Sequence, residues 1–498
     1  MRKKLLIQLA VLFQAAAALA IPDNFVSPQI LTGSFVQATN NNQTATTEVG
    51  EPSVTGYRTL WYSWTAPANG EVTITLAGGD SFYQNLGAWM GGAVTSLKTI
   101  ATVSGSTSAT LTFPVAQGSV YAISTGSFYS SDYGNIQINL SLDTGSTINN
   151  LNIIGTATTT NDNFANRIFT TTQYGSYIVY NASATRETLE PTPGYQTMWW
   201  TYHAPADGRL TISTDGSWSF YKQISAWSGT AVQSLSNLVP AVTASGSSST
   251  TPLTLPVIQG NDYQICLSSF YSSDGGPIVV TFILDSNSDL NSFNLSGGAV
   301  FTNDNFRSAY TLTGDSPAVI SYNTYATTEA LEPSTTGYNT LWFRWTAPVA
   351  GSTQIQTQGS DSSFYKTLLV STGTTINGLS KVTNSTGYTL PTVTFNAVSG
   401  QTYYISLGNF YSGDTGGALL LSIFGQPGAL AAGPSLTIEK AVHLKFQTQS
   451  GHVYRVQQSQ DLQAWNTLTN VFNGNGAIQE IYVGGQSAAT GMFRISAQ

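Results

Sequence analysis

Leu60-Trp61-Tyr62-Ser63-Trp64-Thr65-Ala66-Pro67 returns as Met198-Trp199-Trp200-Thr201-Tyr202-His203-Ala204-Pro205, and again as Leu341-Trp342-Phe343-Arg344-Trp345-Thr346-Ala347-Pro348. An apolar aromatic run closed by Ala-Pro reads as a strand meeting a turn, and its threefold return makes the chain an array of copies. Upstream, each copy carries Ala-Thr-x-Glu-x-x-Glu-Pro, at Ala45 to Pro52, Ala184 to Pro191 and Ala326 to Pro333. Further upstream stands Asp-Asn-Phe, with Asp23, Asp162 and Asp304 separated by 139 and then 142 residues. Downstream come two Phe-Tyr pairs per copy: Phe82-Tyr83 and Phe128-Tyr129, Phe220-Tyr221 and Phe270-Tyr271, Phe364-Tyr365 and Phe410-Tyr411.

A period near 140 residues is too long for a solenoid unit that leans on its neighbours, so each copy is expected to be a complete domain. Val72 to Leu76, Ala109 to Phe113, Val120 to Ser124 and Ile136 to Leu142 alternate apolar with small polar residues, the period of a strand with one buried face. Charged residues are only 8% of the chain, too few for long solvated helices. The expected fold is all-β: three tandem β-sandwich, jelly-roll-like domains plus a small C-terminal β domain. The boundaries fall at 1–20 for a signal peptide, 21–145, 158–287 and 300–426 for the repeats, and 436–498 for the last domain. Segments without counterparts, near 143–160, 285–302 and 425–435, read as linkers.

Arg2, Lys3 and Lys4, the apolar run Leu5 to Ala17 and Ala18-Leu19-Ala20 have the form of a cleavable export signal. The chain is therefore expected to be secreted or at the cell surface, with no membrane span. Removing the signal takes the formal charge from −8 to −11, which argues against a nucleic-acid partner. The lone Cys266 excludes an internal disulfide framework and reads as a buried strand residue. The three histidines, His203, His443 and His452, do not recur between copies, and no nucleophile elbow or zinc helix is present. The expectation is a protein that is not an enzyme, with a secreted hydrolase as the remote alternative.

Three sets of residues recur in chemically suggestive patterns. Trp61, Trp199 and Trp342 read as core, whereas the exchange of Trp64 and Trp345 for Tyr202 suggests a half-exposed position. If Phe82 or Phe128 is buried in a strand, its neighbouring tyrosine points outward. Tyr83, Tyr129, Tyr221, Tyr271, Tyr365 and Tyr411 are thus the candidate ligand-binding residues, with packing at the sandwich ends as the alternative. Asp23, Glu48 and Glu51, Asp162, Glu187 and Glu190, and Asp304, Glu329 and Glu332 admit three readings: oxygen ligands of calcium, a glycosidase pair, or turn-capping carboxylates. Asp132, Asp274 and Asp414 each stand two residues before a glycine or glycine-containing turn and read as turn formers. Calcium apart, no cofactor is expected.

Together Asp-Asn-Phe, Ala-Thr-x-Glu-x-x-Glu-Pro, Leu-Trp-x-x-Trp-Thr-Ala-Pro and the late Tyr403-Tyr404-Ile405-Ser406 run resemble the bacterial pre-peptidase C-terminal domain family. The final segment resembles a short β module of similar secreted proteins. The resemblance implies a β-sandwich accessory to secreted hydrolases, with related modules binding polymers and sometimes calcium. Where that family follows the middle-loop Phe with Asp-Thr, this chain has Tyr83, Tyr221 and Tyr365, so the polar role of that Asp does not carry over. The expected partner is an extracellular polymer, such as polysaccharide, or a cell-surface component held with the avidity of three linked modules. The competing expectation is a structural spacer.

Overall fold

Alternation is the local cause of the fold. In the first repeat the strands are β1 (Gln29–Leu31), β2 (Phe35–Asn41), β3 (Tyr57–Thr65), β4 (Gly70–Leu76), β5 (Gln84–Met90), β6 (Lys98–Gly105), β7 (Ala109–Val115), β8 (Val120–Ser127) and β9 (Asn135–Asp143). Val72, Ile74 and Leu76 of β4 are buried while Glu71, Thr73 and Thr75 between them are not. The computed structural model describes residues 21–497 apart from 78, 107, 192–193, 215–219, 245–251, 296–297, 301, 359, 426–440, 460, 468–471 and 485–491. The expected export signal at 1–20 lies outside the described residues.

Two sheets result, ordered β1-β3-β8-β5-β6 and β2-β9-β4-β7. All neighbours are antiparallel except the short β1, which runs parallel to β3. Without β1 the orders are 3-8-5-6 and 2-9-4-7, the two interleaved Greek keys of a jelly roll. The second and third repeats reproduce both sheets strand for strand. Leu60, Tyr62 and Trp64 of one sheet meet Val72, Ile74, Leu111 and Phe113 of the other in the first core. Cys266 is fully buried in a strand of the second repeat, as its apolar context implies.

The cores do not stop at the repeat boundaries. Ile178, Tyr180 and Val279 of the second repeat belong to the first core, and Ile320, Tyr322, Ala418 and Leu420 of the third belong to the second. The hydroxyl of Tyr180 donates to Pro114 O at 2.6 Å and lies 3.1 Å from that of Tyr121. Tyr322 makes the same 2.6 Å bond to Pro256 O. The segments read as linkers are ordered against the following repeat. The N–H groups of Ile154 and Thr158 donate to carbonyls of the strand Tyr174–Tyr180, and that of Val300 to a carbonyl of the strand Ala318–Tyr322. A few apolar residues, Leu151, Ile153, Ile154 and Ala157 in one and Phe293, Leu295, Ala299 and Val300 in the other, let such a segment cover a sheet edge, which a composition rich in Gly, Ser, Thr and Asn conceals.

The chain divides into two compact units, one through Gly428 and one from Ala429. In the second unit Ala441–Gln447 pairs with Ile478–Gly484, and Val453–Ser459 pairs with Met492–Ala497 and two short strands. Tyr454 and Val456 are buried within it. No described helix is long and apolar enough to cross a membrane.

Candidate functional site

The acidic motifs answer the chain's own donors. Asp23 Oδ1 accepts the Thr46 backbone N–H at 2.6 Å, and Glu48 Oε2 accepts that of Phe25 at 2.6 Å. Glu51 accepts from the Trp61 indole at 3.0 Å, Thr59 at 2.7 Å and Thr55 at 3.1 Å. Phe25 stands edge-on to Trp61 at 5.1 Å. Asp162, Glu187 and Glu190 repeat this pattern around Phe164 and Trp199, as do Asp304, Glu329 and Glu332 around Phe306 and Trp342. Three motifs distant in sequence thus latch the start of each repeat onto the strand bearing its buried Trp. Burial raises the Glu190 carboxyl above the ordinary carboxylate range, against the lowering effect of Trp199 and Thr197. Among the described residues no group of three or more His, Cys, Asp and Glu is arranged to hold a metal.

Trp64, Tyr202 and Trp345 are fully buried, not half-exposed. The Trp64 and Trp345 indoles donate to Gly33 O and Gly314 O, and the Tyr202 hydroxyl donates to the equivalent Thr172 O. The exchange is tolerated because indole and phenol present a donor at the same loop carbonyl.

The Phe-Tyr pairs lie just outside strand ends rather than within strands. Tyr83 directly precedes β5 and Phe128 directly follows β8, and Phe128 N–H donates to Tyr83 O at 2.8 Å. Phe128 is therefore not the buried partner that strand alternation assumes. It is 42% exposed beside Tyr129 at 55%. The three rings form one cluster, with Tyr83 to Phe128 at 4.8 Å and Phe128 to Tyr129 at 5.0 Å. Tyr221, Phe270 and Tyr271 form the second cluster, and Tyr365, Phe410 and Tyr411 the third. In the third, the exposed Tyr388 adds a fourth ring 4.7 Å from Tyr365. Asp132, Asp274 and Asp414 close the turns that hold Tyr129, Tyr271 and Tyr411, each through its N–H to that tyrosine's carbonyl.

Beside the first cluster a groove of about 520 Å³ is lined by Ser53, Gly56, Tyr57, Thr102, Ser104 and Phe128, among others. Its counterpart on the third repeat, about 450 Å³, includes Gly337, Tyr338, Asn384, Thr386 and Phe410. Gly56 and Gly337 sit at φ +86° and +85°, and a Cβ there would come within 2.4 and 2.2 Å of the Ser127 and Asn409 carbonyls. Only glycine lets the chain pass so close to the strand end.

Lys222 and Lys366 are buried charges beside the clusters that the sequence reading missed. Both are buried directly after Tyr221 and Tyr365, with the ammonium 4.2 Å from the Phe220 or Phe364 ring. Lys366 donates to Phe364 O at 3.0 Å and to Tyr388 O at 2.7 Å, joining the two segments that carry the third cluster. Burial pushes both ammonium groups down to about 8, with Asp274 opposing at Lys222 and Asp361 and Asp414 at Lys366. The first repeat has Gln84 at this register, so a Lys returning in an otherwise apolar strand was the available signal. His203 pairs with Asp262 at 2.7 Å on an exposed surface. Exposed rings beside uncharged hydroxyls and amides can stack on and hydrogen-bond a ligand.

No family model matches the chain, and no curated protein does. Among solved structures it is similar to the CUB1-EGF-CUB2 domains of rat MASP-1, at 13% identity over 51% of this chain and 99% of that one, with a TM-score of 0.16. It is similar to a triple jelly roll of an archaeal virus turret at 11% identity, covering 73% and 82%, TM-score 0.16. A Paenibacillus xanthan lyase matches at 12% identity over 80% of this chain and 34% of the enzyme, TM-score 0.15. TM-scores of this size establish neither a common fold along the chain nor a common function.

Proposed function

We propose that this is an exported, non-catalytic protein that holds an extracellular polymer, such as a polysaccharide, through the aromatic clusters of its three repeats. The observation that carries the reading is the recurrence of a three-ring cluster at one place in every repeat, its rings exposed except for the half-buried Tyr365. A contiguous exposed aromatic patch is the kind of surface that meets a partner, and Tyr stacks on sugar rings with its hydroxyl still hydrated. Three linked sites raise avidity by roughly 10²–10⁴ over one when they engage together.

Retention of the chain on insoluble and immobilised polysaccharides tests it. Replacing Tyr83, Tyr221 and Tyr365 together with Ala should abolish retention with circular dichroism unchanged, and replacing one alone should weaken it in part. Equal retention of the triple variant would overturn the reading and favour the spacer, to which the buried joints between repeats are also suited.

A further inference from the structure

We infer that the grooves beside the first and third clusters are the seats of the bound chain, and that they select an uncharged, hydroxyl-rich polymer, a neutral glycan. This inference rests on the polymer-binding reading above. The two grooves correspond position by position: Asn85 and Ser104 are register partners in the first repeat, as are Thr367 and Thr386 in the third. Each is lined by an exposed tyrosine, Tyr57 or Tyr338, and by a phenylalanine of the cluster, Phe128 or Phe410. Because Phe128 and Phe410 belong to both groove and cluster, a chain lying in the groove runs onto the cluster without a break.

Chemistry sets the ligand class. The first groove is lined by Ser, Thr, Asn, Gly, Val, Tyr and Phe, with no charged side chain. The third includes Glu329 and Glu332, whose oxygens already accept from Phe306 N–H, Thr336, Thr340 and Trp342. Thr102, Ser104, Asn384 and Thr386 are exposed, and hydroxyls and amides both donate and accept, as sugar hydroxyls require. Neither lining includes a cationic side chain, and although Lys381 donates to Asn384 at 3.4 Å beside the third groove, a polyanion would meet a chain of formal charge −8. Volumes of about 450–520 Å³ lie within the range of small-ligand sites, enough for a short stretch of chain in each.

The full chain is titrated calorimetrically with a neutral β-glucan hexasaccharide and with an oligouronate of equal length. The neutral oligosaccharide should bind with an affinity unchanged between 50 and 500 mM salt, and the oligouronate at least tenfold more weakly. Ser104→Glu with Thr386→Glu, both at exposed strand positions, should weaken neutral binding about tenfold or more. Tyr57→Ala with Tyr338→Ala should do the same, with the melting temperature confirming the fold. If the oligouronate binds as well, or if groove variants bind like the parent while the Tyr83, Tyr221 and Tyr365 variant still loses retention, the groove inference falls and the cluster reading stands. If the parent retains no polysaccharide, both fall. Binding of an extended peptide along the β6 edge in place of glycans would also overturn it.

Discussion

At Glu51 one carboxylate answers an indole N–H and two hydroxyls, as Glu332 does in the third repeat, while Glu190 answers the Trp199 indole and the Thr197 hydroxyl in the second. Removing it leaves a buried indole donor without an acceptor, so Glu190→Ala should destabilise the second repeat by roughly 1–3 kcal/mol in urea unfolding. With these oxygens committed to internal donors, millimolar calcium should leave the melting temperature where chelator leaves it. The buried lysines give a pH signature of opposite character to a salt bridge. An ammonium whose folded pKa is about 8, below its ordinary 10.5, makes the folded state release its proton first. Stability is then fully gained above pH 10.5 and lost as pH falls through 8. Between pH 7 and 10 the parent should therefore gain thermal stability relative to a Lys222→Gln, Lys366→Gln variant, which carries the glutamine found at Gln84. Identical pH profiles would show that the ammonium groups are not held in low-dielectric surroundings.

Compared register by register, the outer face of the four-stranded sheet has two characters. In the first repeat it shows Gln37, Thr39, Asn41, Gln137 and Asn139, with Gln37 donating to Asn139 and Asn41 to Asn135 across the strands and Gln137 to Asn139 along one of them. At the positions of Thr39, Asn41 and Gln137 the second repeat has Ile178, Tyr180 and Val279, and the third has Ile320, Tyr322 and Leu420. The apolar faces of the second and third repeats are the ones that dock on the repeat before them, which is where a solenoid-like array buries its internal faces. Ile178→Thr, Tyr180→Asn and Val279→Gln together should open the first joint while leaving both sandwiches folded. Small-angle scattering should report a larger radius of gyration, and proteolysis should begin between 146 and 160. Alternation in β4, β7, β8 and β9 made these strands legible in the sequence, because one face was core and the other was not. Tyr174–Tyr180 was less legible because its second face is buried by a neighbouring repeat, which erases the period. The clusters were legible as residues but not in geometry: Phe128 extends the ladder by one backbone bond past the strand end, where alternation no longer dictates burial.

Across the whole molecule the two joints are the same joint used twice. A tyrosine hydroxyl reaches a proline carbonyl, Tyr180 to Pro114 and Tyr322 to Pro256, over a socket tyrosine, Tyr121 or Tyr263. The third repeat should therefore be able to dock on the first. Deleting Asp143 to Leu284 joins Leu142 to Asp285, which occupy successive positions of the same last strand, and gives a chain with one joint, Tyr322 on Pro114. The fit is imperfect, because the first socket has Ala116 where the second has Ile258. The missing methylenes leave a void costing on the order of 1–3 kcal/mol, less than burial of Ile320, Tyr322 and Leu420 returns. The shortened chain should fold with a single cooperative transition for its two docked repeats, at a somewhat lower melting temperature. Ala116→Ile should restore part of the loss. Both grooves, and two of three aromatic clusters, survive the deletion, so glycan oligosaccharide affinity should be unchanged while retention on a long polymer falls with the lost copy. Two independent transitions, indifferent to Ala116→Ile, would show instead that each joint is specific to its own pair of repeats.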